Sequence, residues 1–349
     1  MTSGYIRTQG AYKTARLAQR RPMQEALAAC AQRGRNRALL PPLELMQTIG
    51  SADADHFVSV QASIFQEIVM RLGLTPNDHI VDIGCGCGRL AIPFGYFLNR
   101  DHGRYTGTDV WAEGTDWCSR QLSTEFPNLD FHCLHADSNY YFTDHPDYDT
   151  QNHFPLSFLA DSSVDGVFAV SVFTHLTLND TSWYLNEIAR TLRPGKLAYV
   201  TGFIIDEWFH HYVASSGLHS EVRQHEDGGF YAYQGQDHFA GLTLATWRSL
   251  FDAAGLHLVS IDLGAWAEKP GARSFQDTFI LMAPGTAFVN AKTSPKSVET
   301  LNEELRELRA RLALADHSRP TAERPLASLL PRLQSLLRST IRRKRKQGH

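Results

Sequence analysis

Val81-Asp82-Ile83-Gly84-Cys85-Gly86-Cys87-Gly88-Arg89 is the stretch whose reading decides the fold. It follows the short apolar run from His79 and opens a helix. Three glycines at every second position leave no Cβ atoms where the backbone turns sharply and where a ligand could lie against it. The dinucleotide fingerprint is Gly-x-Gly-x-x-Gly, and here the third glycine comes one residue early. That fingerprint also closes on a pyrophosphate, which the carboxylate of Asp82 would repel.

Working outward, short apolar strands alternate with helical stretches from residue 79 on. The strands read as His79–Ile83, Tyr105–Asp109, Asp130–Leu134, Gly166–Val170, Leu197–Phe203, His257–Leu263 and Thr278–Met282. Helices are expected at 88–99, 112–125, 179–192 and 244–254, and the stretch 43–73 also reads as helical. This alternation predicts an α/β fold with a doubly wound, Rossmann-like sheet. Ligands should then sit beyond the carboxyl ends of the strands, at the switch point. Asp109 follows Gly88 by 21 residues, at the end of the second strand. An acid at that distance accepts from ribose hydroxyls in nucleotide-binding α/β folds, because two carboxylate oxygens match two neighbouring donors.

The acid-x-Gly-x-Gly-x-Gly pattern resembles the glycine-rich motif of class I S-adenosylmethionine-dependent methyltransferases. Met46–Gly50, Trp117-Cys118, Phe126-Pro127-Asn128, Ser171–Leu176, Tyr184–Arg190 and Leu192-Arg193-Pro194-Gly195 extend the likeness. Together they look like bacterial members associated with surface-polysaccharide and glycan pathways, over residues 43–284. Lys196 stands where a second glycine is more typical. The resemblance implies a seven-stranded sheet of order 3-2-1-4-5-7-6 with the last strand antiparallel. It implies S-adenosyl-L-methionine as cofactor, held by Asp82, Gly84, Gly86, Gly88, Asp109, Asp137 and Ser171. Asp82 would attract the cofactor's ammonium, and Asp137 would accept from the adenine amino group or simply end the third strand.

Composition narrows the setting. The 349 residues suit one α/β domain with appendages, and no apolar run is long enough for a transmembrane helix. There is no apolar segment behind the N-terminal positive charges, so no secretory signal is read. Five scattered cysteines suggest a reducing compartment, and the Cys85-x-Cys87 spacing fits neither a metal nor a redox motif. A cytoplasmic enzyme is expected, with peripheral placement at the inner face of the membrane as an extension of that reading. Residues 1–37 carry eight Arg/Lys against one acid, and residues 291–349 carry fourteen against six. The whole chain is at −3, so the middle is strongly acidic, which argues against nucleic acid as the substrate of the core.

The chain divides into a basic arm (1–42), the catalytic domain (43–284) with a lid insertion (204–242), a linker (285–296), a short heptad helix (297–315) and a basic tail (316–349). The heptad positions 298–312 suit a homo-oligomer or a helix packed on its own domain. Leu329, Leu330, Leu333, Leu336, Leu337 and Ile341 make an apolar stripe flanked by arginines and lysines. Segment 326–346 therefore reads as a helix lying on an anionic membrane or as a solvated basic tail.

Methyl transfer to oxygen needs a base, and His175, just past the fourth strand, is the candidate. The plainer alternative is that His175 fixes the loop or touches cofactor. The fourth strand ends in Ala169-Val170-Ser171, not in the Asn/Asp-Pro-Pro-aromatic tetrapeptide of the nitrogen methyltransferases. The insertion carries five histidines and seven aromatic residues; aromatic faces with polar partners suit a sugar, and no spacing suits a metal site. The expected function is O-methylation of a glycan, glycolipid or related small molecule. The alternatives are an inactive cofactor-binding interaction protein and a nucleic-acid methyltransferase.

Overall fold

A computed structural model describes residues 20–32, 39–134, 156–234, 237–269, 271–272 and 274–284. The linker 285–296, the heptad helix, the basic tail and Asp137 lie outside the described residues. In chain order the helices are α1 (20–32), α2 (Leu43–Thr48), α3 (Ala54–Leu72), α4 (Ala91–Phe97), α5 (Ala112–Glu125), α6 (Leu178–Thr191), α7 (Glu207–Ser216) and α8 (Leu244–Ala253). The strands are β1 (His79–Ile83), β2 (Arg104–Asp109), β3 (Leu129–Cys133), β4 (Val164–Ala169), β5 (Leu192–Gly202), β6 (Ile204–Ile205), β7 (Arg223–Gln224), β8 (Phe230–Gln234), β9 (Asp237–Thr243), β10 (His257–Asp262) and β11 (Asp277–Met282).

Seven of these strands form one sheet in the order β10-β11-β5-β4-β1-β2-β3. β1 to β5 run parallel, and β11 is antiparallel to both β5 and β10. Counting only this sheet, β10 and β11 are its sixth and seventh strands. The order is therefore the expected 3-2-1-4-5-7-6, with the last strand reversed. A parallel sheet needs apolar cover on both faces, and alternate residues supply it. Ile80, Tyr105, Phe168 and Tyr199 point to one core with Phe65, Phe94 and Phe97, whereas Val81, Val167, Ala198 and Val200 point to the other with Leu185, Trp247 and Phe251. Phe94 packs with ring centroids 5.0 Å from Phe65 and 5.3 Å from Phe168. Each such ring, fully buried, stabilises the fold by roughly 2–3 kcal/mol.

Several elements differ from the sequence reading. The helical stretch 43–73 is two helices, because Gly50 turns the chain at φ +78° and Asp53 starts α3 by accepting from His56 N at 2.8 Å. Gly73, left-handed at φ +67°, ends it. α4 begins at Ala91 and not at residue 88, since Gly88 sits at φ +79°, outside helical space. β5 begins at Leu192, five residues ahead of expectation, and takes in Leu192–Gly195. β2, β3, β4, β10 and β11 each shift by one or two residues at an end. Of the basic N-terminal stretch, read either as a flexible arm or as a helix over 12–32, residues 20–32 form a helix whose Ala26 and Cys30 are buried in the core.

The insertion is a folded unit. β6, β9, β8 and β7 form a second sheet in that order, and α7 is capped by Asp206, which accepts from Trp208 N and Phe209 N. Its rings largely pack inward: Phe209 and Phe239 join Phe203 and Trp266 in a third core, with Phe203 and Phe239 stacked at 4.8 Å. The reading of these aromatics as open sugar-binding faces fails for Phe209 and Tyr231, which are buried.

Candidate functional site

The glycine loop leaves the carboxyl end of β1 with Gly84, Gly86 and Gly88 at φ +79°, +54° and +79°. A residue with a Cβ rarely adopts such values. Gly84 N and Cys85 N both donate to Thr108 O, at 2.7 and 2.9 Å, which ties the loop to the end of β2. Space is closed as well as torsion. A Cβ at Gly84 would fall 2.3 Å from Val172 Cγ2, and one at Gly88 2.5 Å from Leu122 Cδ1. At Gly86 it would meet Ile49 Cγ2 at 3.2 Å.

Asp109 ends β2 and holds the loop from below. Its Oδ2 accepts from Gly86 N at 2.6 Å and its Oδ1 from Trp111 N at 2.9 Å. Each oxygen keeps a further lone pair for a diol. Burial pushes this carboxyl up, and the backbone donors of Trp111 and Gly86 pull the other way. Asp82 lies under the loop, 2% exposed, with the Tyr105 hydroxyl donating to its Oδ2 at 2.5 Å. Burial raises its carboxyl to about 8, against the pull of that hydrogen bond.

The loop's cysteines serve packing. Cys87 Sγ donates to Leu45 O at 3.6 Å and Cys118 Sγ to Gly86 O at 3.7 Å. Burial pushes the Cys87 thiol up to about 12, so it stays protonated. Among the described residues no cluster of His, Cys, Asp and Glu could hold a metal ion.

Sequence reading missed Arg89, although it directly follows the last glycine. Its guanidinium donates to Ile49 O at 2.7 Å and Ser51 Oγ at 2.8 Å and lies 5.3 Å from the Phe57 ring centroid. It thereby clamps the turn between α2 and α3 beside Gly86. Gln61 joins the same clamp, donating to Arg89 O at 2.5 Å.

Ser171 and His175 follow β4. Ser171 is exposed at φ +61°, and His175 N closes a turn on Val172 O at 3.0 Å. Thr174 O accepts from Ala240 N at 2.7 Å, and Leu178 N donates to the Tyr231 hydroxyl at 2.8 Å. The insertion therefore buttresses the segment that carries both residues. Thr201 and Gln276, also missed, bond to Ser171. No local signal marks Gln276, which lies 105 residues from Ser171.

A glycine loop after β1, an acid closing β2 and a post-β4 segment packed on that loop through Val172 are now in place. Residues 81–200 match a methyltransferase domain family. Among curated proteins, an O-methyltransferase of Pyrenophora dematioidea is 27% identical over 141 residues, covering 40% of this chain and 45% of that protein. The cyclopropane-fatty-acyl-phospholipid synthase of Escherichia coli (strain K12) is 23% identical over 223 residues, covering 62% and 50%. The chain spans about half the length of the curated relatives it matches. Among solved structures, the 1,6-didemethyltoxoflavin-N1-methyltransferase of Burkholderia thailandensis overlaps 65% of this chain and 79% of its own, at 16% identity and a TM-score of 0.41.

Proposed function

We propose that this chain is an S-adenosylmethionine-dependent methyltransferase acting on oxygen. The observation that carries the reading is the Asp109 clamp. One carboxylate holds Gly86 N and Trp111 N and keeps lone pairs for a ribose diol, directly below a loop of three left-handed glycines. Val172, Ile49 and Leu122 pack where a Cβ at these positions would stand, so the loop's path is held by close contact as well as by torsion. The donor set fits the cofactor: Asp109 for the ribose, Asp82 for the ammonium, and Ser171 at the wall toward the acceptor. The domain match and the O-methyltransferase relative support it.

The cofactor would supply an electrophilic methyl on sulfonium. The chain's own task is to align an acceptor atom roughly 3–3.5 Å from that carbon and to take its proton. His175 is proposed for the proton, since it stands in the turn just past β4. The proposed acceptor is a hydroxyl of a glycan, glycolipid or related small molecule. The segment 326–346 is proposed to bring the enzyme to anionic membrane; vesicle cosedimentation equal with and without residues 320–349 would remove that role.

Calorimetry with S-adenosylmethionine and S-adenosylhomocysteine tests the core of the reading. Micromolar binding that Asp109→Ala weakens at least tenfold is expected. Absence of binding to either compound would end it.

A further inference from the structure

Three residues from distant parts of the chain close a ring of hydrogen bonds beyond the carboxyl ends of β4 and β5. Ser171 N donates to Thr201 Oγ1 at 2.8 Å. Thr201 Oγ1 donates to Gln276 Oε1 at 2.7 Å. Gln276 Nε2 returns to Ser171 Oγ at 2.8 Å. Thr201, next to last in β5, is buried at 4% exposure, whereas Ser171 stands exposed past β4 and Gln276 is half-buried at the entry to β11.

Donor counting shows what the ring leaves over. A hydroxyl has one proton and two lone pairs, and an amide nitrogen has two protons. Thr201 gives its proton to Gln276 and receives one from Ser171 N, so it has no donor left. Ser171 Oγ receives a proton from Gln276, and the ring makes no use of its own. Gln276 spends one N–H and retains a second. The amide stands with its nitrogen toward Ser171 and its oxygen toward Thr201. Two donors, an O–H and an N–H, are thus held side by side past the end of β4.

Their place relative to the cofactor loop is set by Val172. Its Cγ2 fills the space that a Cβ at Gly84 would need, so Ser171 adjoins the residue that packs on the loop. Both donors are neutral. Lys269, on the approach to Gln276, is no source of charge, because its ammonium is fully buried on Asp277, Asp206 and Ile204 O. Phe275, next to Gln276, is 67% exposed and adds apolar surface. Two neutral donors beside an apolar ring do not offset the desolvation of a phosphate or carboxylate, which calls for cationic partners.

We propose that Ser171 and Gln276 form the acceptor subsite, jointly donating to an uncharged oxygen of the methyl acceptor, with Thr201 as the positioning residue behind them. This rests on the methyltransferase reading. The oxygen would be a hydroxyl, ether or carbonyl close to the methylated atom.

The test uses the full chain, S-adenosylmethionine labelled in its methyl group, and a cell extract split by ion exchange into neutral and anionic pools. Label should enter the neutral pool. With the purified labelled acceptor, Gln276→Met should raise the acceptor KM about tenfold or more, with a smaller change in kcat. Gln276→Glu, which keeps the shape but replaces the donor with a carboxylate, should do the same or worse. Affinity for S-adenosylhomocysteine should stay within about twofold in both, a split that general loosening of the fold would not produce. Label in the anionic pool alone, an unchanged acceptor KM in Gln276→Met, or a matching loss of cofactor affinity would each overturn the subsite and leave the methyltransferase reading standing. Label in neither pool, with S-adenosylhomocysteine still bound, would instead overturn that reading and the subsite with it.

Discussion

Asp82→Asn should make the ligand-free protein more stable at alkaline pH while impairing cofactor binding. Asp82 is buried at 2% exposure, and its one hydrogen bond comes from the Tyr105 hydroxyl. Burial is the largest influence on its carboxyl and the nearby Asp109 adds to it, against the Tyr105 hydrogen bond, so it rises from 3.8 to about 8. A group raised on folding lends stability that is fully present below its unfolded value and is lost as pH rises through its folded value. Between about pH 4 and about pH 8 the folded chain holds a proton that the unfolded chain has released. Stability then falls by up to about 1.4 kcal/mol per pH unit. Over the interval from about pH 5.5 to about pH 8 this comes to about 3 kcal/mol. An amide does not titrate there and can still accept from Tyr105. Urea denaturation of both proteins across that interval should therefore show the gap moving by about 3 kcal/mol in favour of the variant. A gap that stays constant with pH, or that grows in favour of the wild type, would refute the reasoning. The same carboxyl must ionise to meet an ammonium. Wild-type affinity for S-adenosylhomocysteine should accordingly rise by up to about tenfold per pH unit as pH approaches about 8, and the variant should be weaker and flat.

Other outcomes follow from single contacts. Gly84→Ala places a Cβ 2.3 Å from Val172 Cγ2 at a φ of +79°, and should cost about 2–3 kcal/mol in thermal unfolding along with cofactor affinity. His175→Ala should lower kcat by roughly 10²–10⁴-fold with S-adenosylhomocysteine affinity unchanged; normal turnover would dismiss it as the base. Lys269→Met removes the cation from between Asp277 and Asp206 and strands a buried carboxylate, so denaturation should show a loss of about 3–5 kcal/mol.

The parts of this molecule legible in its sequence are those whose determinants lie close together along the chain. β1, the glycine loop and Asp109 occupy one strand-turn-helix-strand unit, where spacing alone constrains geometry. Strand edges slip by a residue or two because apolar runs mark burial, not the last hydrogen bond. The break at Gly50 is masked by apolar residues that continue on both sides of it. A helix within 12–32 is legible, but not its docking: Ala26 and Cys30, one turn apart, are buried in an otherwise basic stretch. The insertion's aromatics have the right composition for a sugar surface, but their periodicity does not tell whether they face a ligand or one another. They stack on Phe203 and Trp266, which lie outside residues 204–242.

The acceptor side of the site is least legible for a stricter reason. The ring joins Ser171 to Thr201 over 30 positions, Thr201 to Gln276 over 75 and Ser171 to Gln276 over 105. Only the antiparallel return of β11 beside β5 brings Gln276 to the end of β5, since Asp277 pairs with Gly202 in the register of those strands. The reversed last strand is thus more than a topological signature. A parallel strand in that place would present its carboxyl end at the crevice, and Gln276, at the amino end, would lie on the far side of the sheet. The glycine loop and Asp109 come from the parallel strands, as in any doubly wound fold. The proposed recognition of the acceptor depends on the one strand that runs the other way, and so can vary without disturbing the cofactor loop.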